Sequence, residues 1–328
     1  MATPLSLLDF CTRYPDETVG DAIARSVNFA QRGEELGYSR VWYSEHHNMN
    51  SIVSSTPAVL IAHVGAKTST IRLGSGGVML PNHAPYVIAE QFGMLEEMYP
   101  DRIDLGLGRA PGTDQQTLGR ALRRDPMSAE RFPQDVVELQ AWLSNQSPLD
   151  GVVAVPGFNT EVPLYILGSS MFGASLAAKL GLPYSFASHF APQHLEQATT
   201  YYKEHYEPSE RHPEPYCIAA VNVTAADTSE DADRQEKVVH RNRVRAFVER
   251  RGTKLSDDQL DAIVNSYQGR QITDMLRYTA KGTGEQVVEY LEWFKDHAKA
   301  DELMISLQGG SHDEALHSME ILATHWQK

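Results

Sequence analysis

Chemistry in this chain gathers where apolar runs end. Glu45-His46-His47 closes one such run and offers a proton carrier beside a carboxylate. Successive strand residues point to opposite faces, so Glu45 and His47 look one way and His46 the other. That spacing suits one histidine facing a pocket, with a Glu/His pair behind it in the wall. Histidine titrates near neutrality, which fits a general base or proton shuttle. A capped loop of satisfied histidines is the plain alternative. A second run, from Ile71, ends in Gly74-Ser75-Gly76-Gly77. Glycines at a strand end let backbone approach a ligand with no Cβ in the way, and a bulge or tight turn would use them too.

Leu105-Gly106-Leu107-Gly108-Arg109 holds a guanidinium on a glycine-smoothed strand end, a geometry for bidentate phosphate binding. A salt bridge to Asp101 or Asp104 is the competing use. Proline at 111 breaks the G-x-G-x-x-G spacing, so a dinucleotide fingerprint is not present. Gly168-Ser169-Ser170 runs into a helix from Met171, whose free N–H groups the serines can cap or an anion can occupy. Ala187-Ser188-His189-Phe190 brings a second histidine and an aromatic to another strand end. The chain has no H-E-x-x-H and no C-x-x-C, so no metal is expected.

These residues need elements to hold them. Strands are predicted over 5–10, 38–44, 71–74, 103–107, 164–167, 184–187, 216–223 and 302–307. Helices are predicted over 19–36, 57–67, 85–98, 132–143, 171–180, 194–206, 285–297 and 312–326. A Gly/Pro-punctuated segment over 152–162 reads as a small inserted hairpin. A charged, mostly helical insertion over about 229–279 precedes the last strand. Eight strands alternating with helices imply parallel βα units closed into a (β/α)8 TIM barrel, one domain over 1–328. An open doubly wound sheet is the competitor.

Composition narrows the function classes. A net charge of -14 with no basic block argues against nucleic acid and anionic membranes as partners. Cys11 and Cys217 make no disulfide framework. Met1 to Pro4 lacks a basic start followed by a long apolar stretch, and no segment reaches membrane-spanning length, so a cytoplasmic protein is expected.

Glu45-His46-His47, Leu73 to Pro81, Arg102 to Arg109 and Ala177 to Pro183 together resemble the luciferase-like flavin monooxygenases, in their alkanal-monooxygenase-like branch. The resemblance spans nearly the whole chain and is weakest over 229–279. It implies a barrel that binds FMN at the C-terminal ends of its strands. His46 would be the active-site histidine, Arg109 the phosphate-contacting arginine, and Gly76–Gly77, beside Ser75, a cis peptide under the flavin ring. The phosphate loop would fall on Gly168, Ser169, Ser170 and Gly173, with Ser188 beside the flavin. Reduced FMN from a separate flavin reductase would react with O2 to a C4a-peroxyflavin that oxidises an aldehyde, ketone or similar small molecule. Gly108 stands where luciferases carry a reactive cysteine, and Ser169 where they carry an acidic residue, which puts light emission in doubt. A coenzyme F420- or FMN-dependent reductase on the same barrel and a non-catalytic flavin-binding protein are the alternatives, with a metal-dependent hydrolase third. Segments 58–64 and 87–95 are apolar around their circumference, and in this family such helices pair subunits, so a homodimer is expected.

Overall fold

Alternation of strand and helix carries through into a closed barrel in the computed structural model, which describes residues 3–14, 16–248 and 254–326. The first half runs β1 (Leu5–Asp9), α1 (Val19–Glu35), β2 (Arg40–Tyr43), α2 (Pro57–Gly65), β3 (Arg72–Met79), α3 (Pro85–Met98), β4 (Ile103–Gly108) and α4 (Phe132–Leu143). Next come β5 (Leu164–Gly168), α5 (Met171–Leu180), β6 (Tyr184–Phe186), α6 (Leu195–Glu204), β7 (Cys217–Ala225) and α7 (Ser229–Val248). The chain closes with α8 (Asp257–Val264), α9 (Tyr267–Thr273), β8 (Thr279–Gly282), α10 (Gly284–His297), β9 (Glu302–Leu307) and α11 (His312–Trp326). All ladders between these strands are parallel. They run in sequence from β1 to β7, then β7 pairs with β9 and β9 with β1, so eight strands form the ring.

Three expectations are corrected. First, no strand is predicted between the helical insertion ending near 279 and the helix from 285, whereas β8 forms there. It adds to β7 at Asn222–Ala225, beyond the Cys217–Ala219 stretch that pairs with β6. Its sequence, Thr-Ala-Lys-Gly, has no apolar alternation; Lys281 is held instead by Asp233 and Glu236 of α7 at 2.8 and 2.7 Å. Second, the 152–162 segment is not a hairpin. Its N–H groups bond locally, Phe158 to Ala154 and Thr160 to Gly157, or to the end of α4, Asn159 to Ser144 and Glu161 to Leu143. With Pro156 lacking an N–H and its own carbonyls used in turns, no ladder can form. Third, β3 does not stop at Gly74. It continues through the glycines to Met79, with Gly76 and Gly77 both opposite Gly106, a bulge against β4.

Two cores result. The outer one fills the layer between sheet and helices. The inner one packs Leu8, Trp42, Tyr165, Ile218, Ala220 and Met304 inside the ring. Below it, toward the strand starts, Arg40 bridges Asp104 at 2.8 Å and Glu302 at 2.9 Å, and Arg72 holds the other Asp104 oxygen at 2.6 Å. Burial alone would lower the Arg40 pKa, but Asp104 and Glu302 outweigh it and raise it well above the ordinary value. Two guanidiniums against two carboxylates leave this end neutral and filled. No helix of the described residues is long and apolar enough to cross a membrane.

Above the inner core the wall is bare. A Cβ on Gly106 would stand 2.2 Å from the Ser75 carbonyl oxygen, and one on Gly77 would stand 2.7 Å from the Gly106 oxygen. β3 and β4 therefore meet backbone to backbone at this bulge, with Leu167 of β5 lying against both glycines. Gly106→Ala is expected to destabilise the protein by at least about 2 kcal/mol in urea unfolding, because rigid backbone on the facing strand cannot yield. Gly119→Ala, where nothing lies within 4 Å of the added Cβ, is the control and should change little.

Candidate active site

β2 ends at Tyr43, and the residues after it turn over the C-terminal rim of the barrel. Glu45 is only 1% exposed. Its Oε1 meets Nε2 of His47 at 3.0 Å and Nε2 of His83 at 2.9 Å, while Oε2 accepts the backbone N–H of Met79 at 3.0 Å. Burial would raise its pKa; the bonds from His47 and His83 outweigh burial and hold it down to about 2. Glu45 thereby ties the loop after β2 to the end of β3.

His46, three residues past the end of β2, makes no hydrogen bond to this carboxylate. Its ring lies 6.2 Å from that of Phe10, and its buried Nδ1 has no hydrogen-bond partner. Burial pushes its pKa below the ordinary histidine value, against upward contributions from Gly112 and Glu45. The near-neutral value expected from sequence is thus corrected downward. His46 is neutral at pH 7 and has a free nitrogen.

A hydrogen-bonded chain runs from Glu45 to Arg109. Asn82 donates to Glu45 Oε1 at 3.3 Å and to the Pro111 carbonyl at 3.0 Å. Arg124 donates to Asn82 Oδ1 at 3.1 Å and to the Arg109 carbonyl at 3.4 Å. The His47 N–H donates to the Gly112 carbonyl at 3.0 Å, and Gly112 takes φ +67°, where a Cβ would also stand 2.7 Å from the Glu45 oxygen. The loops after β2, β3 and β4 are therefore one unit. Asn82, His83 and Arg124 are not singled out by sequence. Asn82-His83 is a polar pair in an apolar run and could have been noticed; Arg124 has no local signal.

Among the described residues no carboxylate pairs with Arg109, and Asp104 is taken by Arg40 and Arg72. The Arg109 guanidinium lies 4.0 Å from the ring centre of Phe172 in the first turn of α5. Ser170 is the residue before that helix, yet its side chain makes no cap hydrogen bond. Tyr184 Oη donates to the Ser170 carbonyl at 3.2 Å, and a Cβ on Gly168 would stand 3.4 Å from Gly173 Cα, so the turn is held tight. A cation beside an uncapped helix N-terminus makes an anion cradle.

The peptide between Gly76 and Gly77 is cis. Ser75 Oγ donates to the Gly106 carbonyl at 2.8 Å, and Ser188 Oγ to the Ala220 carbonyl at 2.5 Å. Both hydroxyl protons are thus committed to the barrel wall, so toward a ligand these side chains can only accept. His189 is 7% exposed rather than a surface rim residue, with its ring 6.0 Å from Phe10. Its carbonyl accepts from Asn222 Nδ2 at 2.7 Å, and its buried Nδ1 has no partner. Burial, then the nearby charges of Arg243 and His46, lower its pKa to about 3. Phe10 and Asn222, like Arg243, are site residues that sequence did not indicate.

Comparison with known proteins agrees with this fold. A family model described as luciferase-like monooxygenase matches residues 6–301. A protein named "Luciferase-like monooxygenase" from Escherichia coli strain K12 is 40% identical, over 96% of this chain and 95% of its own. The crystal structure of apo-MsnO8 superposes with a TM-score of 0.88 at 30% identity, covering 99% of this chain and 98% of that one. More distant barrels share the fold at TM-scores of 0.72 and 0.70 with 15% and 16% identity. They are the oxygenating constituent of 3,6-diketocamphane monooxygenase from Pseudomonas putida, in complex with FMN, and an F420-dependent secondary alcohol dehydrogenase. They cover 98% and 99% of this chain, and 97% and 98% of their own.

Glu45 has a pKa near 4.5 when unfolded and about 2 when folded, so its stabilisation is complete above pH 4.5 and is lost as pH falls toward 2. Glu45→Gln is expected to cost about 3 kcal/mol of stability at pH 7 and to flatten the acid limb of stability against pH, read by urea denaturation.

Proposed function

The chain belongs to the luciferase-like monooxygenase family, and from that premise we propose that it is a flavin-dependent monooxygenase that uses reduced FMN and O2 to oxidise a small organic molecule. The observation that carries this reading is the unpaired Arg109 beside the uncapped start of α5, on the same rim as a neutral His46 with a free nitrogen.

The residues present fit FMN. Arg109, Ser169, Ser170 and the first-turn N–H groups of α5 would hold the phosphate, with Gly168 and Gly173 giving the turn its tightness. The backbone of Ser75, Gly76 and Gly77 would floor the flat ring, with no side chain of their own at the two glycines, and Ser188 would border it. Bound reduced FMN would supply two electrons to O2, one oxygen atom going to substrate and the other to water. His46 would take or return a proton at Nδ1, its ring steered by Phe10. Glu45, through His47, His83 and Met79, would fix the distance between His46 and the glycine floor. Phe10, Phe190 and the inner core would keep bulk water from the ring face.

No dinucleotide fingerprint occurs in the sequence, so a separate flavin reductase would supply reduced FMN. Coenzyme F420-dependent reduction is the second reading, favoured by the fold shared with the F420-dependent alcohol dehydrogenase. Oxygen uptake with reduced FMN, set against F420 reduction, separates the two. A homodimer through α2 and α3 is part of the proposal, since Val59, Val87, Met94 and Met98 stay exposed there.

Arg109→Ala is expected to weaken FMN binding at least about tenfold, measured by quenching of flavin fluorescence, as one charge-assisted pair warrants. His46→Ala should keep FMN affinity and lose substrate-dependent oxygen uptake; unchanged turnover would remove His46 from the mechanism. Since neutral His46 is the active form, activity should fall only as pH drops below its ordinary 6.5. Val59→Glu with Met94→Glu should convert the dimer to monomer in light scattering.

A further inference from the structure

Met79 is the last residue of β3, just past Gly76 and Gly77, and it stands opposite Gly108 in the β3–β4 ladder. Its backbone N–H is fixed by Glu45 Oε2 at 3.0 Å. Its side chain folds over the end of β4. A Cβ on Gly108 would stand 2.9 Å from Met79 Sδ and 3.0 Å from its methyl carbon, and one on Gly112 would stand 3.3 Å from its Cγ. Alternate residues of a strand share a face, so Gly108 faces the way of Gly106 and of Asp104, whose carboxylate meets Arg40 and the inner-core Trp42. The thioether therefore lies on the inner side of the barrel mouth, in the space that two glycines leave. Met79 is half-buried there.

A thioether is soft and polarizable, and it reacts with peroxide without first losing a proton. The sulfur lone pair attacks one peroxide oxygen, the O–O bond breaks, an S–O bond forms, and the other oxygen leaves as water with both protons. Sulfur loses two electrons and the peroxide gains them. Under the monooxygenase reading, reduced FMN passes two electrons and two protons to O2 on the glycine floor whenever no substrate takes the oxygen, and the product is hydrogen peroxide. Cys11 and Cys217 do not compete, since both are buried and burial pushes both thiols up to about 12, away from the reactive thiolate. Met79 is the sulfur that shares a strand with the floor. Because β4 backbone backs that sulfur on one side, the oxygen of a sulfoxide is directed to the open side, and a polar group replaces an apolar one at the approach to the glycines.

We propose that Met79 is an oxidation site built into the mouth: hydrogen peroxide formed on the glycine floor converts its thioether to the sulfoxide, and the sulfoxide weakens flavin binding. This rests on the monooxygenase reading, which supplies the peroxide. The full chain is first titrated with FMN by fluorescence quenching. It is then incubated in air with reduced FMN, without substrate and with catalase to remove free peroxide, and mass spectrometry of its digest locates the added oxygen. Met79 should be oxidised ahead of Met49 and Met127, which are 44% and 52% exposed. Hydrogen peroxide added without flavin should reverse that order. FMN affinity of the oxidised protein should fall about tenfold, as one polar group desolvated without a partner warrants. Met79→Leu, which keeps the N–H bond to Glu45, should show no such fall after the same treatment. Met49 and Met127 oxidised as fast as Met79 under catalase, the same order with added peroxide, an unmodified Met79, unchanged affinity once Met79 carries oxygen, or an equal fall in Met79→Leu would each overturn the proposal. Should Met79→Leu not fold, the wild-type map and wild-type affinity decide alone. FMN binding with no oxygen at Met79 counts against this proposal only, whereas absence of FMN binding removes the flavin reading and this proposal with it.

Discussion

Everything at the open end of this barrel depends on the contact between β3 and β4 being made by bare backbone. Gly76 and Gly77 face Gly106 two against one, and the oxygen atoms of Ser75 and Gly106 occupy the places that Cβ atoms would need. A barrel normally fills its interior with side-chain layers to its top. Here the layer of Leu8, Trp42, Ile218 and Met304 is followed on the β3–β4 side by glycine backbone with Leu167 packed against it. A flat ligand can then lie directly on peptide groups, close to the rim residues that act on it.

The opposite end explains why the site can be so open. Arg40, Arg72, Asp104 and Glu302 plug the strand starts with a neutral, mutually paired set, joined by Trp42, Tyr165 and Tyr216 through hydrogen bonds. Breaking such a set would leave a buried charge alone, which costs far more than the pairs themselves contribute. The rigid end and the apolar layer above it hold the strands in register, so glycines at the other end need not do so.

At the rim, one carboxylate coordinates three loops. Glu45 holds His47, His83 and the Met79 N–H, and Asn82 and Arg124 extend the chain to the Arg109 backbone. The proposed proton carrier and the proposed phosphate cradle thus move together or not at all. On the facing side, the buried Nδ1 of His189 has no hydrogen-bond partner among the described residues. One wall is fully satisfied and the other is left open.

The chain alone determined the alternation of strands and helices, because periods of two and 3.6 in apolar residues are local; closure into a ring, rather than an open sheet, came from β9 pairing with β1. It also determined that His46, Arg109 and Ser169-Ser170 sit just past strand ends, since each follows its apolar run. Only the tertiary structure decided the rest. The course of β3 past Gly74 depends on Gly106 lying opposite, and β8 depends on where β6 stops. The 152–162 segment satisfies its N–H groups in turns and on α4, which no pattern of Gly and Pro could foretell. Whether Arg109 paired with Asp104 was settled by Arg40 and Arg72, two residues from other strands. Asn82 and Arg124 matter through partners far away in the chain, and that kind of relation has no periodicity to read.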